Sequence, residues 1–349
     1  MKISIELGER SYDIILERGC LKKAAGLLEL DRKCLIVTDD GVPEEYAGAV
    51  ADSCAEPVIL TLPHGETSKC MENLGRTLQL MLGSGFTRGD CVAAVGGGMA
   101  GDIAGFAAAV YMRGIDFYNI PTTVLSQADS SIGGKTAIDF GGAKNIVGAF
   151  WQPERVLIDP DTLKTLPQRQ IAAGMAEIIK AGLIADAGLF DIIERAAGRS
   201  AENERAGCGT PLLPDDVMED ILARALMVKK RVVEADEREA GLRRILNFGH
   251  TIGHGIESVT GLLHGECVAL GMLPMCSPAV RGRLEPVLKG LGLPLSTEAD
   301  PDRVYEAVLH DKKMNRSGVA AVFVEKTGEA VIRQTGADEL RAAIGSVVR

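Results

Sequence analysis

Across residues 1–155, short runs that are apolar at nearly every position alternate with longer stretches in which apolar residues recur every three or four. Lys33–Thr38 (KCLIVT), Pro57–Leu62, Cys91–Val95 and Phe117–Ile120 are of the first kind, which predicts strands buried on both faces. Met71–Leu82 (MENLGRTLQLML) is of the second kind and predicts a helix. Strands separated by helices imply a mostly parallel sheet covered on both sides. The N-terminal MKISIELGERSYDIIL alternates polar and apolar residues and carries acids early, so it predicts a strand and not a signal peptide.

The pattern changes after Asp159. Gln168–Leu183, Ala185–Ala196, Pro214–Val233 and Ile245–Val259 carry helical periodicity, while Ser200–Pro214 has little and predicts a surface loop. Gly318–Glu325 and Glu329–Gln334, joined by Lys326-Thr327-Gly328, predict a β-hairpin. The expected organisation is an α/β domain over residues 1–155 and a mainly α-helical domain over 156–349.

Composition narrows the classes. Hydrophobic residues at 46% and charged residues at 25% describe a globular chain. The longest apolar stretch, Ile103–Met112, falls short of the ~18 residues a membrane helix needs, so no membrane is expected as a partner. A formal charge of −10 argues against non-specific nucleic-acid binding, and it makes any gathered cations stand out. The eight cysteines contain no CxxC pair, which predicts free thiols and a cytoplasmic home.

Three local features carry chemistry. In CVAAVGGGMAGD (Cys91–Asp102) an apolar strand runs into Gly96, Gly97 and Gly98, with a helix expected from Met99; Gly96, Gly98 and Gly101 have the GxGxxG spacing of a pyrophosphate-binding turn. The acid usual ~20 residues later is not cleanly placed, and Asp39 is either a ribose contact or a solvated loop acid. His250, His254 and His264, three of the five histidines, fall within fifteen residues, and His250 and His254 share a helix face, which suits a metal or acid–base site. HTIGH lacks the glutamate of the HExxH proteases, so peptide hydrolysis is not indicated. Glu177 and Lys180 in GMAEIIKAG are either a helix-surface pair or the wall of a cleft.

The segments PHGETSK (63–69), GGGMAGDIAGF, YMRGIDF, IPTTVLSQADSSIGGKTAID and GGAKNIVGAFWQP closely resemble the 3-dehydroquinate synthase family. So do TLPQRQIAAGMAEIIKAG, GLRRILNFGHTIGHGIE, HGECVALGM and HDKK (310–313), and the likeness runs in order from about residue 10 to residue 340. It implies an α/β NAD-binding domain, a helical metal-binding domain and an active site between them. The related iron-dependent polyol dehydrogenases share the fold but lack the ADSSIGGK and AKN segments.

By this resemblance the metal, zinc or cobalt, is held by Glu177, His250 and His264, which moves His254 to a substrate contact. NAD is met by Asp39, Glu66, Lys69, Gly97, Gly98, Asp102, Thr122, Thr123, Leu125, Lys135, Lys144 and Thr165. The substrate is held by Asp129, Lys135, Asn145, Lys180, Lys229, Arg243, Asn247, His254 and the Lys312-Lys313 pair, with Arg113 reaching in from the other subunit of a homodimer. The implied reaction converts 3-deoxy-D-arabino-heptulosonate 7-phosphate to 3-dehydroquinate and phosphate, in the shikimate route to aromatic amino acids, with NAD recycled in each turnover.

Some positions depart from the family pattern. Gln170 stands where Glu is usual, Gly41 where Asn is frequent, and the segment after HGECVALGM is short; these bear on cofactor affinity and packing. Two alternatives are a cyclase acting on sedoheptulose 7-phosphate or glucose 6-phosphate, and a non-catalytic nucleotide-binding relative. Arg243 suits a substrate carboxylate, which those sugar phosphates lack, and no implied metal ligand is missing.

Overall fold

A computed structural model of the chain describes residues 1–205, 213–311 and 318–349. It divides into two compact units, Met1–Leu166 and Pro167–Arg349.

The first unit contains the strands β1 (Lys2–Ile5), β2 (Tyr12–Leu16), β3 (Lys33–Asp39), β4 (Glu56–Leu62), β5 (Cys91–Gly96), β6 (Asp116–Pro121), β7 (Lys135–Phe140), β8 (Ala143–Phe150) and β9 (Arg155–Ile158). Its helices are α1 (Ala24–Leu27), α2 (Glu44–Ala51), α3 (Met71–Gly83) and α4 (Gly98–Val110). Seven strands form one sheet in the order β1-β2-β9-β6-β5-β3-β4, parallel except for the β1–β2 hairpin. Successive residues of β3 and β5 feed opposite layers, as the uninterrupted apolar runs require. Leu35, Val37, Val92 and Ala94 pack with Ile103 and Phe106 of α4. Cys34, Ile36, Cys91, Ala93 and Val95 pack with Ala47 and Val50 of α2.

Three expectations for this unit change. The N-terminal segment is a hairpin and not one strand, because Gly8, at φ 66, begins a short turn over Gly8–Arg10. The unit continues to Leu166, beyond residue 155, because Arg155–Ile158 is itself the strand between β2 and β6. The antiparallel pair β7–β8 also lies where no strands are predicted.

The second unit contains α5 (Gln168–Ala185), α6 (Ala187–Arg205), α7 (Asp215–Ala235), α8 (His250–Val259), α9 (His264–Met272), α10 (Pro278–Gly290), α11 (Pro301–Asp311) and α12 (Ala337–Gly345). The hairpin appears as β10 (Val319–Lys326) and β11 (Glu329–Thr335). The helix expected over Ile245–Val259 is broken: Leu242–Asn247 is a short 3-10 turn, and α8 starts only after Gly249, at φ 78. Helix α6 runs into the expected loop as far as Arg205, and residues 206–212 of that loop lie outside the described residues. No helix among the described residues is long and apolar enough to cross a membrane. The seven described cysteines are free thiols.

Candidate metal centre and cofactor crevice

In the second unit, α9 is brought against α5 and the start of α8 by missing side chains. A Cβ on Gly265 would sit 1.8 Å from the Ala173 carbonyl oxygen, and one on Gly271 would sit 2.0 Å from that of Gly249. Neither position tolerates any other residue without separating the helices. This close packing carries Glu177 on α5, His250 at the start of α8 and His264 at the start of α9 to one point, with one ligand atom of each within 4.8 Å of the others.

Glu177 and Lys180 are 3% and 2% exposed, so they are not a helix-surface pair. The Lys180 ammonium contacts Glu177 Oε2. Nε2 of His250 and Nε2 of His264 each stand 3.7 Å from Glu177 Oε1. That is too long for a hydrogen bond, so Oε1 accepts none among the described residues, while Oε2 is met by Lys180. Tetrahedral zinc with bonds of ~2.0–2.1 Å separates its ligand atoms by about 3.3 Å. A buried carboxylate oxygen that accepts no hydrogen bond and faces two imidazole nitrogens at nearly that spacing fits a divalent cation.

The outer ring nitrogens are occupied. Nδ1 of His250 lies 3.1 Å from the Phe248 carbonyl oxygen, and Nδ1 of His264 lies 3.0 Å from Glu257 Oε2. Burial alone would raise the Glu177 carboxyl, but Lys180, His250 and His264 hold it well below the usual range. His250 is pushed well below its usual value by burial and by Lys180. Burial also works to lower His264, yet Glu177 and Glu257 outweigh it and push the imidazole up to about 9. The His254 ring lies edge-on to His250, centroids 5.2 Å apart. His254, Glu257 and His264 form a second constellation that shares His264 with the first.

Among the expected substrate residues, Lys229 and Arg243 are buried, and Asn247 and His254 are half-buried. The Arg243 guanidinium donates to the Glu237 backbone carbonyl, and Asn247 Nδ2 donates to Glu239 Oε1 at 2.7 Å. The segment carrying both is tied by Asp236, whose carboxylate accepts the backbone N–H of Ala240, Gly241 and Arg243 at 2.7–3.0 Å. Lys312 and Lys313 lie outside the described residues.

In the first unit, strand order reverses between β3 and β5, since β3 leads outward to β4 and β5 leads the opposite way to β6. Ligands of open α/β sheets bind at the carboxyl ends of strands at such a point. Asp39 ends β3 and the triple glycine follows β5 there; Asp39 Oδ2 is 3.5 Å from where a Cβ on Gly96 would lie. Asp39 is therefore a buried acid beside the glycine turn and not a solvated one. Burial pushes its carboxyl up, against the Gly41 N–H it accepts at 3.0 Å. A side chain at position 41 would crowd Asp39 Oδ1 at 3.1 Å.

Helix α4 opens at Gly97 with no side-chain cap, so its first N–H groups face the crevice unpaired by a cap. A Cβ on Gly97 would meet Thr123 Cγ2 at 3.3 Å and one on Gly98 would meet Ser130 Oγ at 3.2 Å. This bare turn fits a pyrophosphate. Thr122 N donates to the Gly96 carbonyl at 2.9 Å, and Thr123 Oγ1 lies 2.8 Å from Ser126 Oγ. Leu125 is half-buried just before the π-helical turn Ser126–Ser130, which contains Asp129. Lys69 Nζ bridges Asp102 Oδ2 at 2.7 Å and Glu66 Oε1 at 3.1 Å. Lys135 and Asp102 line one small cavity with Asn119, Ser130 and Ser131. Asn145 adopts φ 53, its N–H donating to Asp139 Oδ1 at 2.8 Å, and Lys144 beside it is exposed. Thr165 Oγ1 lies 3.0 Å from the Tyr46 hydroxyl.

Residues 59–173 match the model of the 3-dehydroquinate synthase N-terminal domain and residues 174–314 that of its C-terminal domain. The chain belongs to the 3-dehydroquinate synthase family. It is 39% identical to the 3-dehydroquinate synthase of Pelobacter propionicus over 98% of both chains. It is 40% identical to that of Acetivibrio thermocellus over 97% of this chain and 96% of the other. Among solved structures, a 2-epi-5-epi-valiolone synthase from Streptomyces hygroscopicus with NAD+ and Zn2+ bound is 29% identical, with a TM-score of 0.86 over 98% of both chains. A 2-deoxy-scyllo-inosose synthase complexed with carbaglucose-6-phosphate, NAD+ and Co2+ is 24% identical and shares the fold, with a TM-score of 0.86 over 99% of both chains.

Four residues that hold others in place were not found by reading the sequence: Glu257, Asp139, Asp236 and Glu239. Glu257 alone had a signal, standing three residues after His254 and so on the same helix face. Asp236 and Glu239 belong to the acidic run EADERE, which reads as a solvated surface.

Proposed function

We propose that this chain is a working 3-dehydroquinate synthase that converts 3-deoxy-D-arabino-heptulosonate 7-phosphate to 3-dehydroquinate and phosphate. The observation that carries the reading is the meeting of Glu177 Oε1 with Nε2 of His250 and of His264 around a point that no hydrogen bond fills. Glu177, His250 and His264 would hold zinc or cobalt, and the crevice residues Asp39, Glu66, Lys69, Gly97, Gly98, Asp102, Thr122, Thr123, Leu125, Lys135, Lys144 and Thr165 would hold NAD. Bound there, NAD would supply reversible hydride exchange at C5 and the cation Lewis acidity at the C5 oxygen.

The protein's own groups bind and orient the substrate. Arg243 offers a planar fork suited to the carboxylate, and its burial makes that charge-assisted pairing stronger than one at the surface. Lys135, Lys180, Lys229 and the Lys312-Lys313 pair supply the positive charge that a doubly anionic substrate needs in an acidic protein. Asn145, Asn247, Asp129 and His254 offer hydrogen bonds to its hydroxyls and phosphate. A sugar phosphate without a carboxylate offers the planar fork of Arg243 no pair of oxygens to engage, which favours the heptulosonate.

The same reading makes the chain a homodimer in the cytoplasm. Met112 and Arg113 both adopt left-handed backbone, at φ 49 and 71, a strained pair that calls for a purpose. Arg113 is exposed, as are the apolar side chains of Met112, Phe140, Ile146 and Phe150. An apolar surface of this kind supports a subunit contact across which Arg113 reaches the partner's substrate. Phosphate release from the heptulosonate phosphate, set beside sedoheptulose 7-phosphate and glucose 6-phosphate, tests the assignment. Preference for either carboxylate-free sugar would refute it.

A further inference from the structure

Glu257 stands outside the set formed by Glu177, His250 and His264. It lies on α8, its side chain is 12% exposed, and its Oε2 stands 3.0 Å from Nδ1 of His264 at the start of α9. An ionised carboxylate only accepts hydrogen bonds, so Nδ1 keeps its proton towards Glu257 and Nε2 is the nitrogen left to give up its proton and ligate a cation. That nitrogen is on the side of the ring facing Glu177 Oε1, 3.7 Å away. His250 is oriented in the same way, but by the neutral Phe248 carbonyl. The two imidazoles therefore differ in their outer partner: one meets a dipole and the other a full charge.

We propose that Glu257 is a positioning residue of the metal centre, which fixes the tautomer and ring plane of His264 and, through its charge, makes His264 the stronger donor. This inference rests on the reading of Glu177, His250 and His264 as ligands. His264 needs such a hold more than His250, since its side chain is 30% exposed against 12%. The rival is that Glu257 is itself a ligand, with His254 and His264. Hydrogen bonding decides between them: Glu257 is engaged by His264, whereas Glu177 leaves Oε1 turned to both imidazoles while Lys180 contacts only Oε2. Outer partners of ligating histidines typically change metal affinity about 10–100-fold.

The test is zinc affinity, measured by competition with a chromophoric chelator on metal-free wild type, Glu257→Gln, Glu257→Ala and His264→Ala. The cobalt-substituted spectra of the same proteins are recorded alongside. Glu257→Gln keeps size and loses charge, so it should bind zinc about tenfold more weakly; Glu257→Ala should approach a hundredfold. Both should keep the wild-type cobalt band intensity and the wild-type circular dichroism. Wild-type affinity in both Glu257 variants would overturn the inference and leave the metal site standing. Loss of the cobalt band in Glu257→Ala, as in His264→Ala, would also overturn it by making Glu257 a ligand. If wild type takes up no zinc, or His264→Ala binds as well as wild type, the underlying ligand reading fails and this inference with it.

Discussion

Lys69 Nζ lies 2.7 Å from Asp102 Oδ2, a contact between an ammonium only 5% exposed and a carboxylate 18% exposed. Burial pushes the Asp102 carboxyl up to about 6, more than Lys69 pulls it down. The folded protein therefore holds this proton more tightly than the unfolded chain between the ordinary aspartate value of 3.8 and about 6. Over that window Asp102 costs stability as pH rises, and above it the cost is constant. Urea titrations of nucleotide-free wild type and Asp102→Asn should diverge between pH 4 and 6.5. Wild type should lose about 1–3 kcal/mol relative to the variant as pH rises. A pH-independent difference would show that Asp102 titrates normally.

Removing an imidazole from the metal cluster supplies no substitute ligand atom. His264→Ala should therefore lose the stoichiometric zinc that wild type retains through gel filtration, and with it phosphate release. Atomic emission analysis of the purified proteins checks this, and equal zinc in both would remove His264 from the ligand set.

The bare turn at the start of α4 makes a separate prediction. A Cβ on Gly98 already meets Ser130 Oγ at 3.2 Å, so the branched side chain of Gly98→Val should fill the space a pyrophosphate needs. NAD affinity by calorimetry should fall at least about tenfold, or ~1.4 kcal/mol, while zinc content stays at the wild-type level. Unchanged NAD binding would move the cofactor away from this turn.

Arg243→Lys separates substrate recognition from cofactor binding. A lysine keeps the charge and loses the planar fork, so binding of the heptulosonate phosphate should weaken by about tenfold to a hundredfold, or ~1.5–3 kcal/mol. Affinities for NAD and zinc should not change. Sedoheptulose 7-phosphate, which has no carboxylate, should be indifferent to the substitution. An equal loss for both sugars would refute the carboxylate role.

The strands β3, β5 and β6 were legible in the sequence because a parallel strand buried on both faces must be apolar nearly throughout; β4 was legible from the same kind of run, yet as the edge strand it is mostly exposed and not buried on both faces as expected. The pair β7–β8 was not, since much of it is exposed and a Gly141-Gly142 turn gives it the look of a loop. The break before α8 was hidden because HTIGHGIE continues the helical period of the residues before Gly249. Spacing put His250 and His254 on one face. It could not choose which of them shares a point with His264 and Glu177, because that depends on how closely α9 packs, which Gly265 and Gly271 set. The family resemblance supplied that choice; the structure groups His264 both with Glu177 and His250 and with His254 and Glu257.

The most direct test of the whole account is the number of phosphates released per NAD. With the heptulosonate phosphate in large excess over both NAD and zinc-loaded protein, many phosphates should appear per NAD while NADH absorbance stays flat. Chelation should stop the release, and zinc or cobalt should restore it. NADH accumulating in step with product, or release that persists undiminished in the metal-free protein, would contradict the account.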